Sequence, residues 1–271
     1  MRVFSSLVLL IALVFQNDLC AQRHELGFSG GVTNYFGDLN RRLRISPEIG
    51  FGQFIYKSNR TKFISFGSSL SFAQFGFSDL GSISEWEQNR NASFHTQLFE
   101  LSAFSEWCFF PMDKTGKTDF VTPYFKVGAG LSSYKVYDRK GPDKTLLTDL
   151  YTEGQVLTSE EPSTSTLFML YGLGIKFGLG KYVSFGLECS WRKTASDYLD
   201  DISTYYPDED EIRRVYGIAG ENTLAFSNTT IDQSIDMQMR QRGNATKKDD
   251  YLFFGLFFTY TINNPKCPLV L

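Results

Sequence analysis

The chain has 271 residues, a formal net charge of −3 and an aromatic fraction of 16%, carried mainly by 26 Phe and 14 Tyr. Near-neutral charge leaves no nucleic-acid footprint. Beyond the N-terminus no apolar run reaches the roughly 18–20 residues that a membrane helix requires, and the remaining length suits one large β domain or two smaller ones.

The first residues read as an export signal: Met1-Arg2 supplies charge, Leu7 to Phe15 an apolar stretch, and Cys20-Ala21 a small-residue cleavage site. Residues 1–21 are therefore expected to be a signal peptide, with the mature chain starting at Gln22. Cleavage before Cys20 as a lipoprotein is the weaker option, because Asn17-Asp18-Leu19 does not resemble a lipobox.

Eight segments then follow, each apolar at every second position, which is the period of a β-strand with two unlike faces. The first, Glu25 to Tyr35, sets Leu26, Phe28 and Val32 against Glu25, Gly27, Ser29 and Gly31. The second, Glu48 to Tyr56, changes phase between Ile49/Phe51 and Phe54/Tyr56, which predicts a bulge. The third, Lys62 to Phe77, sets Ile64, Phe66, Leu70 and Phe72 against Ser65, Gly67, Ser69, Ser71 and Ala73. The fourth, Thr96 to Phe109, sets Phe99, Leu101, Ala103 and Trp107 against Glu100, Ser102 and Glu106.

The fifth, Tyr124 to Tyr137, sets Phe125, Val127 and Leu131 against Lys126, Gly128 and Gly130. The sixth, Leu167 to Leu179, sets Leu167, Met169, Tyr171, Leu173, Ile175 and Phe177 against Gly172, Gly174, Lys176 and Gly178. The seventh, Val183 to Thr194, sets Phe185, Leu187, Cys189 and Trp191 against Gly186, Glu188, Ser190 and Arg192. The eighth, Tyr251 to Ile262, carries Leu252, Phe254, Leu256, Phe258 and Tyr260 opposite Gly255 and Thr259.

A face of Gly, Ser and charge is a poor exterior but a good filling for a small membrane barrel. The pattern predicts an all-β, eight-stranded, antiparallel up-and-down transmembrane outer-membrane β-barrel over residues 22–262, with a tail at 263–271. A ten-stranded variant would use Thr145 to Leu157 as an additional hairpin. Glu25, Glu48, Glu100, Glu106 and Glu188 should meet Lys126, Lys176 and Arg192 in a lumen ion-pair network. That network reads as structural filler in preference to a conducting channel, since eight strands leave little room for water.

Connectors alternate short (Ser58 to Arg60, Pro111 to Thr122, Gly180-Lys181) and long (Gly37 to Ile45, Ser78 to Phe94, Asp138 to Thr166, Ser196 to Asp250). Short periplasmic turns and long extracellular loops place both termini in the periplasm. Aromatic girdles are expected at the inner rim (Tyr56, Trp107, Phe109, Phe110, Tyr124, Tyr182, Tyr260) and at the outer rim (Tyr35, Phe36, Phe75, Phe77, Tyr134, Tyr137, Trp191, Tyr198).

Catalytic signatures are sparse. His24 has no evident partner. His95 beside Ser93 could serve a lipid-modifying enzyme, but a surface or interface histidine is the simpler reading. Cys108, Cys189 and Cys267 lack metal-ligand spacing and read as unpaired packing residues. The run Asp208-Glu209-Asp210-Glu211 lacks the register of a calcium loop. No cofactor, metal or catalytic residue is expected. The last loop, residues 196–250, is long enough to be functional or disordered. From Asp197 onward it holds twelve acids against six bases, with short helices expected near Asp208 to Tyr216 and Thr230 to Arg240.

Three segments resemble a known family. Glu25-Leu26-Gly27 with Asn34-Tyr35-Phe36-Gly37-Asp38-Leu39-Asn40 resembles the opening of the PorG-like (DUF6089) outer-membrane barrels of Bacteroidetes. Thr194 to Ser203, with Asp197, Tyr198, Asp200 and Asp201, is similar to that family's second signature, and Arg242-Gly243-Asn244 to its third. The resemblance implies a non-enzymatic anchor or accessory subunit of the type IX protein secretion machinery in the Gram-negative outer membrane, contacting membrane lipid and periplasmic secretion-ring or core proteins. Tyr35, Gly37, Asp38, Asp197, Tyr198, Asp200 and Asp201 should then cluster at one rim. Lys57, Arg60, Lys62, Lys114, Lys117 and Lys181 would form a basic periplasmic surface for partners. The competing reading is an adhesin or receptor that displays the long acidic loop.

Overall fold

The computed structural model describes residues 23–40, 50–80, 82, 84–111, 121–138, 145–155, 163–180, 182–232 and 234–262. The expected signal peptide, Glu48, Lys114, Lys117, Lys181, Cys267 and the tail at 263–271 lie outside the described residues.

Eight long strands form one closed antiparallel barrel: β1 (Arg23–Phe36), β2 (Gly50–Asn59), β3 (Ile64–Ser78), β4 (Ser93–Cys108), β5 (Val121–Asp138), β7 (Ser165–Leu179), β8 (Val183–Thr194) and β9 (Asp250–Ile262). Each strand pairs with its neighbour in sequence, β4 pairs with β5, and β1 closes the ring on β9 from His24↔Ile262 to Phe36↔Asp250. Closure leaves no strand edge in the barrel wall, so the backbone groups of the wall are paired, as a hydrocarbon environment demands. β6 (Thr145–Leu146) is only a two-residue extension on the far end of β5. The ten-stranded variant is thereby excluded: a short 3-10 turn over Leu147–Asp149 follows β6 instead of a hairpin.

Alternation along every strand turns one side chain set outward. Phe28, Phe66, Leu101, Leu131, Leu173 and Leu256 are all more than half or close to half exposed, giving an apolar belt that belongs in lipid. Among the described residues no helix is long and apolar enough to cross a membrane; the strands do the crossing.

Two sequence expectations fail inside the barrel for one reason. The register of β2 runs unbroken against both β1 and β3, so the expected bulge is absent among the described residues. Phe51 faces the lumen and stacks on Phe253 at 4.3 Å. Likewise Tyr35, Phe75, Phe77 and Tyr134 are buried within the barrel rather than forming an outer girdle, and so is Tyr124 at the other end. Each shares the parity of its strand's small or charged residues. The inner face therefore also carries large rings, and glycine makes room for them: a Cβ on Gly174 would lie 2.4 Å from the Tyr124 ring, and one on Gly130 2.5 Å from Phe168. Tyr56, Trp107, Phe109, Phe110, Tyr182 and Tyr260 do remain exposed near the short-turn end.

The long connectors fold over the opposite end as a cap. It includes α1 (Glu85–Arg90), α2 (Glu209–Tyr216) and α3 (Ile218–Ser227). α2 starts where Asp208 accepts a hydrogen bond from the Glu211 amide, so the acidic run serves as a helix cap. The helix expected over Thr230 to Arg240 does not form, and α3 stands upstream of it. Leu39, Leu147, Leu199 and Ile202 of the cap pack with Tyr35, Phe75, Phe94 and Tyr251 of the barrel in one apolar cluster. Cap and upper lumen thus share a single core.

Candidate functional site

The lower lumen is filled by paired charges. Glu106 on β4 bridges two lysines, Lys57 at 2.6 Å and Lys176 on its other oxygen. Lys126 pairs with Glu188 at 2.9 Å, and Tyr124 donates to the same carboxylate at 2.7 Å. Higher up, Arg192 reaches Glu100 at 3.4 Å and lies over the Phe253 ring, while Tyr251 donates to Glu100. Glu25 accepts from Asn59 and Thr259. Glu25, Glu100, Glu106 and Glu188 face Lys57, Lys126, Lys176 and Arg192, all buried, so the described lumen carries four charges of each sign. Buried ions require such compensation.

Lys57 departs from its expected place. Its charge predicts a place on the basic periplasmic surface, yet only 2% of it is exposed and it belongs to the lumen. Its parity with Gln53 and Ile55, both buried, is the signal in the sequence that shows this. Arg60 stands half-exposed at the β2–β3 turn with Lys62 exposed beside it.

At the cap the residues of the three signatures converge. The Tyr35 hydroxyl oxygen lies 2.5 Å from Asp200 and 2.8 Å from Asp249, all three side chains being about 1% exposed. One phenolic proton cannot serve two carboxylates, so one of the pair must itself carry a proton and donate to the phenol oxygen. Burial, reinforced by Asp38 and Asp197, pushes Asp200 up to about 8. Burial and the nearby Asp200 also raise Asp249 well above the ordinary carboxyl range.

Asp249 accepts from the Leu199 amide and Asp200 from the Ile202 amide, so the clasp ties together both ends of the long loop. Gly37 is required beside it: a Cβ there would lie 1.7 Å from the Tyr35 hydroxyl and 2.1 Å from Asp249.

The remaining signature residues lock the cap. Arg242 donates to the Asp201 carbonyl at 2.6 Å and to Thr152 at 2.9 Å, and pairs with Glu153 at 3.3 Å. Glu153 in turn accepts from the amides of Ser203 and Thr204. Asp201, at a positive φ of 64°, accepts from Thr152. Burial lifts it to about 6 despite Arg242. Gly243 lets the chain approach Asp38, which accepts from the Asn244 amide at 2.5 Å. Asp197 accepts from Ser203 on one oxygen and is pushed up by burial to about 6. Tyr198 beside it is half-buried at the outer edge.

Asp249, Thr152 and Glu153 were not singled out in the sequence, since all three lie in loops whose fold depends on distant partners.

His95, expected at the surface or interface, is instead 5% exposed, and the neighbouring Ser93 hydroxyl is directed to Asp138 at 2.9 Å. His24, for which no partner was evident, stacks on Tyr56 and shares a 2.8 Å hydrogen bond with it. Cys108 and Cys189 are free thiols. Among the described residues no cluster of His, Cys, Asp and Glu could hold a metal.

Comparison with known proteins returns outer-membrane barrels of low identity. Ail, the attachment invasion locus protein of Yersinia pestis, aligns with a TM-score of 0.42 and 9% identity over 89% of this chain and 99% of its own. Neisserial surface protein A gives 0.42 and 8% over 89% and 97%, and OprG of Pseudomonas aeruginosa 0.40 and 6% over 90% and 97%. No curated protein sequence matches. The model of a domain of unknown function, DUF6089, matches residues 1–235, and the chain belongs to that family.

Proposed function

We propose that this protein is a non-enzymatic, non-conducting outer-membrane barrel that serves as an anchor or accessory subunit of the type IX protein secretion machinery. The observation that carries the non-conducting scaffold is the closed lumen: charge pairs below, stacked rings above, and a cap sharing their core. Among the described residues a lumen so filled leaves little room for water and gains rigidity instead. The link to secretion rests on the family resemblance of the three signatures, which the fold uses to build the cap. Both termini and the short turns face the periplasm in this reading, with Arg60, Lys62, Lys114, Lys117 and Lys181 toward secretion-ring or core proteins. Lys57 has no part in that surface.

The test is purification of the tagged barrel from its native envelope in mild detergent, followed by mass spectrometry. Stoichiometric recovery of secretion-ring proteins, lost on charge reversal of Arg60 and Lys62, is the expected result. A folded barrel recovered alone would overturn the anchor role. A receptor role has one observation in its favour: Ile218, Val215 and Tyr216 are exposed at the α2–α3 corner, away from the lipid belt. Secretion lost on removal of α2 and α3, with ring proteins still bound, would select it.

A further inference from the structure

Where the apolar belt meets the cap, β5, β7 and the chain leaving β8 form an outward groove of about 470 Å³. Its floor is a row across three strands: Leu131 pairs with Leu167, and the Ala195 amide donates to the Leu167 carbonyl. Leu131 and Leu167 are more than half exposed, so this floor continues the lipid-facing surface without a break. The upper wall is polar, with Thr166, Ser196, Asp197 and Lys248. Asp197 is 2% exposed, and its second oxygen has no hydrogen-bond partner among the described residues.

The cations gather on the same side. Lys248 is exposed, and its one described hydrogen bond goes to the Ala245 carbonyl at 2.9 Å, leaving donors for a ligand. The next outward row toward the membrane centre is Ala129, Met169 and Lys193. That places exposed Lys193 two residues below Ala195 on the same face. Lys193 pairs in register with Asp250, whose carboxylate accepts from Trp191 at 3.1 Å. An apolar floor opening into lipid, an unpartnered carboxylate oxygen above it and lysines at two heights match a molecule with acyl chains, an anionic phosphate and neighbouring hydroxyls.

We infer that this rim groove binds the phosphate-bearing headgroup of a membrane lipid. The acyl chains lie on Leu131, Leu167 and Met169, the phosphate is held by Lys248 and Lys193, and the unpartnered oxygen of Asp197 takes a headgroup hydroxyl, the Thr166 and Ser196 hydroxyls being engaged by the Leu167 carbonyl and by Tyr134. The site needs only a barrel in its membrane and is independent of any secretion role. Either a phosphorylated glycolipid or an anionic phospholipid supplies this chemistry.

The experiment uses the full-length barrel in phosphatidylcholine nanodiscs doped with either bisphosphorylated lipid A or phosphatidylglycerol, with native mass spectrometry of retained lipid. Wild type should retain a phosphate lipid, K193A/K248A should weaken retention about tenfold or more, and R214A, which removes an exposed cation on α2, should change nothing. Preference for lipid A would mark a glycolipid site, made specific by Asp197→Asn reducing it. Preference for phosphatidylglycerol, insensitive to Asp197→Asn, would mark a phospholipid site. Equal retention by wild type and K193A/K248A, or an equal loss in R214A, would overturn the proposal. Heat-modifiable migration of each variant establishes that it is folded.

Discussion

The two halves of the interior solve the same problem in opposite ways. Below, ionised groups are kept and each is matched by its opposite: Lys57 and Lys176 on Glu106, Lys126 on Glu188. Above, at the cap, acids outnumber bases, and the carboxyls around Tyr35 hold on to protons instead. The difference follows from what supplies each wall. Strands place residues at fixed heights, so a lysine on one strand can be set level with a glutamate on another. Loops bring in side chains by tertiary folding, where a buried carboxyl without a cation is tolerated only as an acid or as an acceptor of amides.

The contrast can be broken most forcefully from below. E106Q should cost about 3–5 kcal/mol of barrel stability, because it strands two buried ammonium groups. Urea unfolding followed by heat-modifiable migration measures it. Combining it with K57M and K176M should recover most of the loss, because pairing rather than charge is what the lower half requires. In the cap, R242A removes the donor shared by Asp201, Thr152 and Glu153 and should cost about 2–4 kcal/mol. It should be seen as faster proteolysis within residues 196–249, with the barrel left intact.

G37A should cost about 1–3 kcal/mol by forcing Tyr35 and Asp249 apart. Protease sensitivity of the same loop reports it, and a resistant G37A cap would show that the clasp closes without this close approach.

The pH dependence of the cap has a sign that separates the halves. Asp200 titrates near 4 in an open chain and near 8 in the closed cap. Between those pH values the open form has released a proton that the closed form retains. Closure therefore weakens as pH rises through the window, with little further change above about 8. Asp197 and Asp201, raised to about 6, add to the same slope at its acid end. Hydrogen exchange of the Leu199 and Ile202 amides should accordingly report a looser cap at pH 8.5 than at pH 5.5, after correction for the intrinsic rate. D200N, whose amide keeps a donor at that position, should flatten the trend. An unchanged slope in D200N would remove the shared proton from the account.

Much of the barrel was legible because alternation is local. The parity of Leu26 and Phe28 against Gly27 and Ser29, or of Leu173 against Gly172, needs no knowledge of the partner strand. The same rule misled where size mattered more than polarity. Phe51, Phe75 and Tyr134 are aromatic and by polarity alone read as exterior groups, yet their parity, with Gln53 for Phe51, Ala73 for Phe75 and Ser132 for Tyr134, places them inside. Lys57 was judged by charge when its alternation with Tyr56 pointed inward. The signature acids could be placed at one rim only through the resemblance, and the roles of Asp249, Glu153 and Thr152 depend on contacts across 49 to 214 positions of sequence, as between Tyr35 and Asp249 or Thr152 and Asp201. No local pattern encodes those.

The Tyr35 clasp also dictates an order of events. Its phenol comes from the first strand, one carboxyl from just beyond β8, the seventh strand of the wall, and the other from the residue before the last strand begins. Tyr35 and Asp249 stand at the cap end of the β1–β9 seam, beside the Phe36↔Asp250 pair, so the clasp holds only where that end of the seam has closed. A capped molecule is therefore one whose seam is already sealed, and protease resistance of the loop during biogenesis would serve as a clock for the final step of barrel assembly.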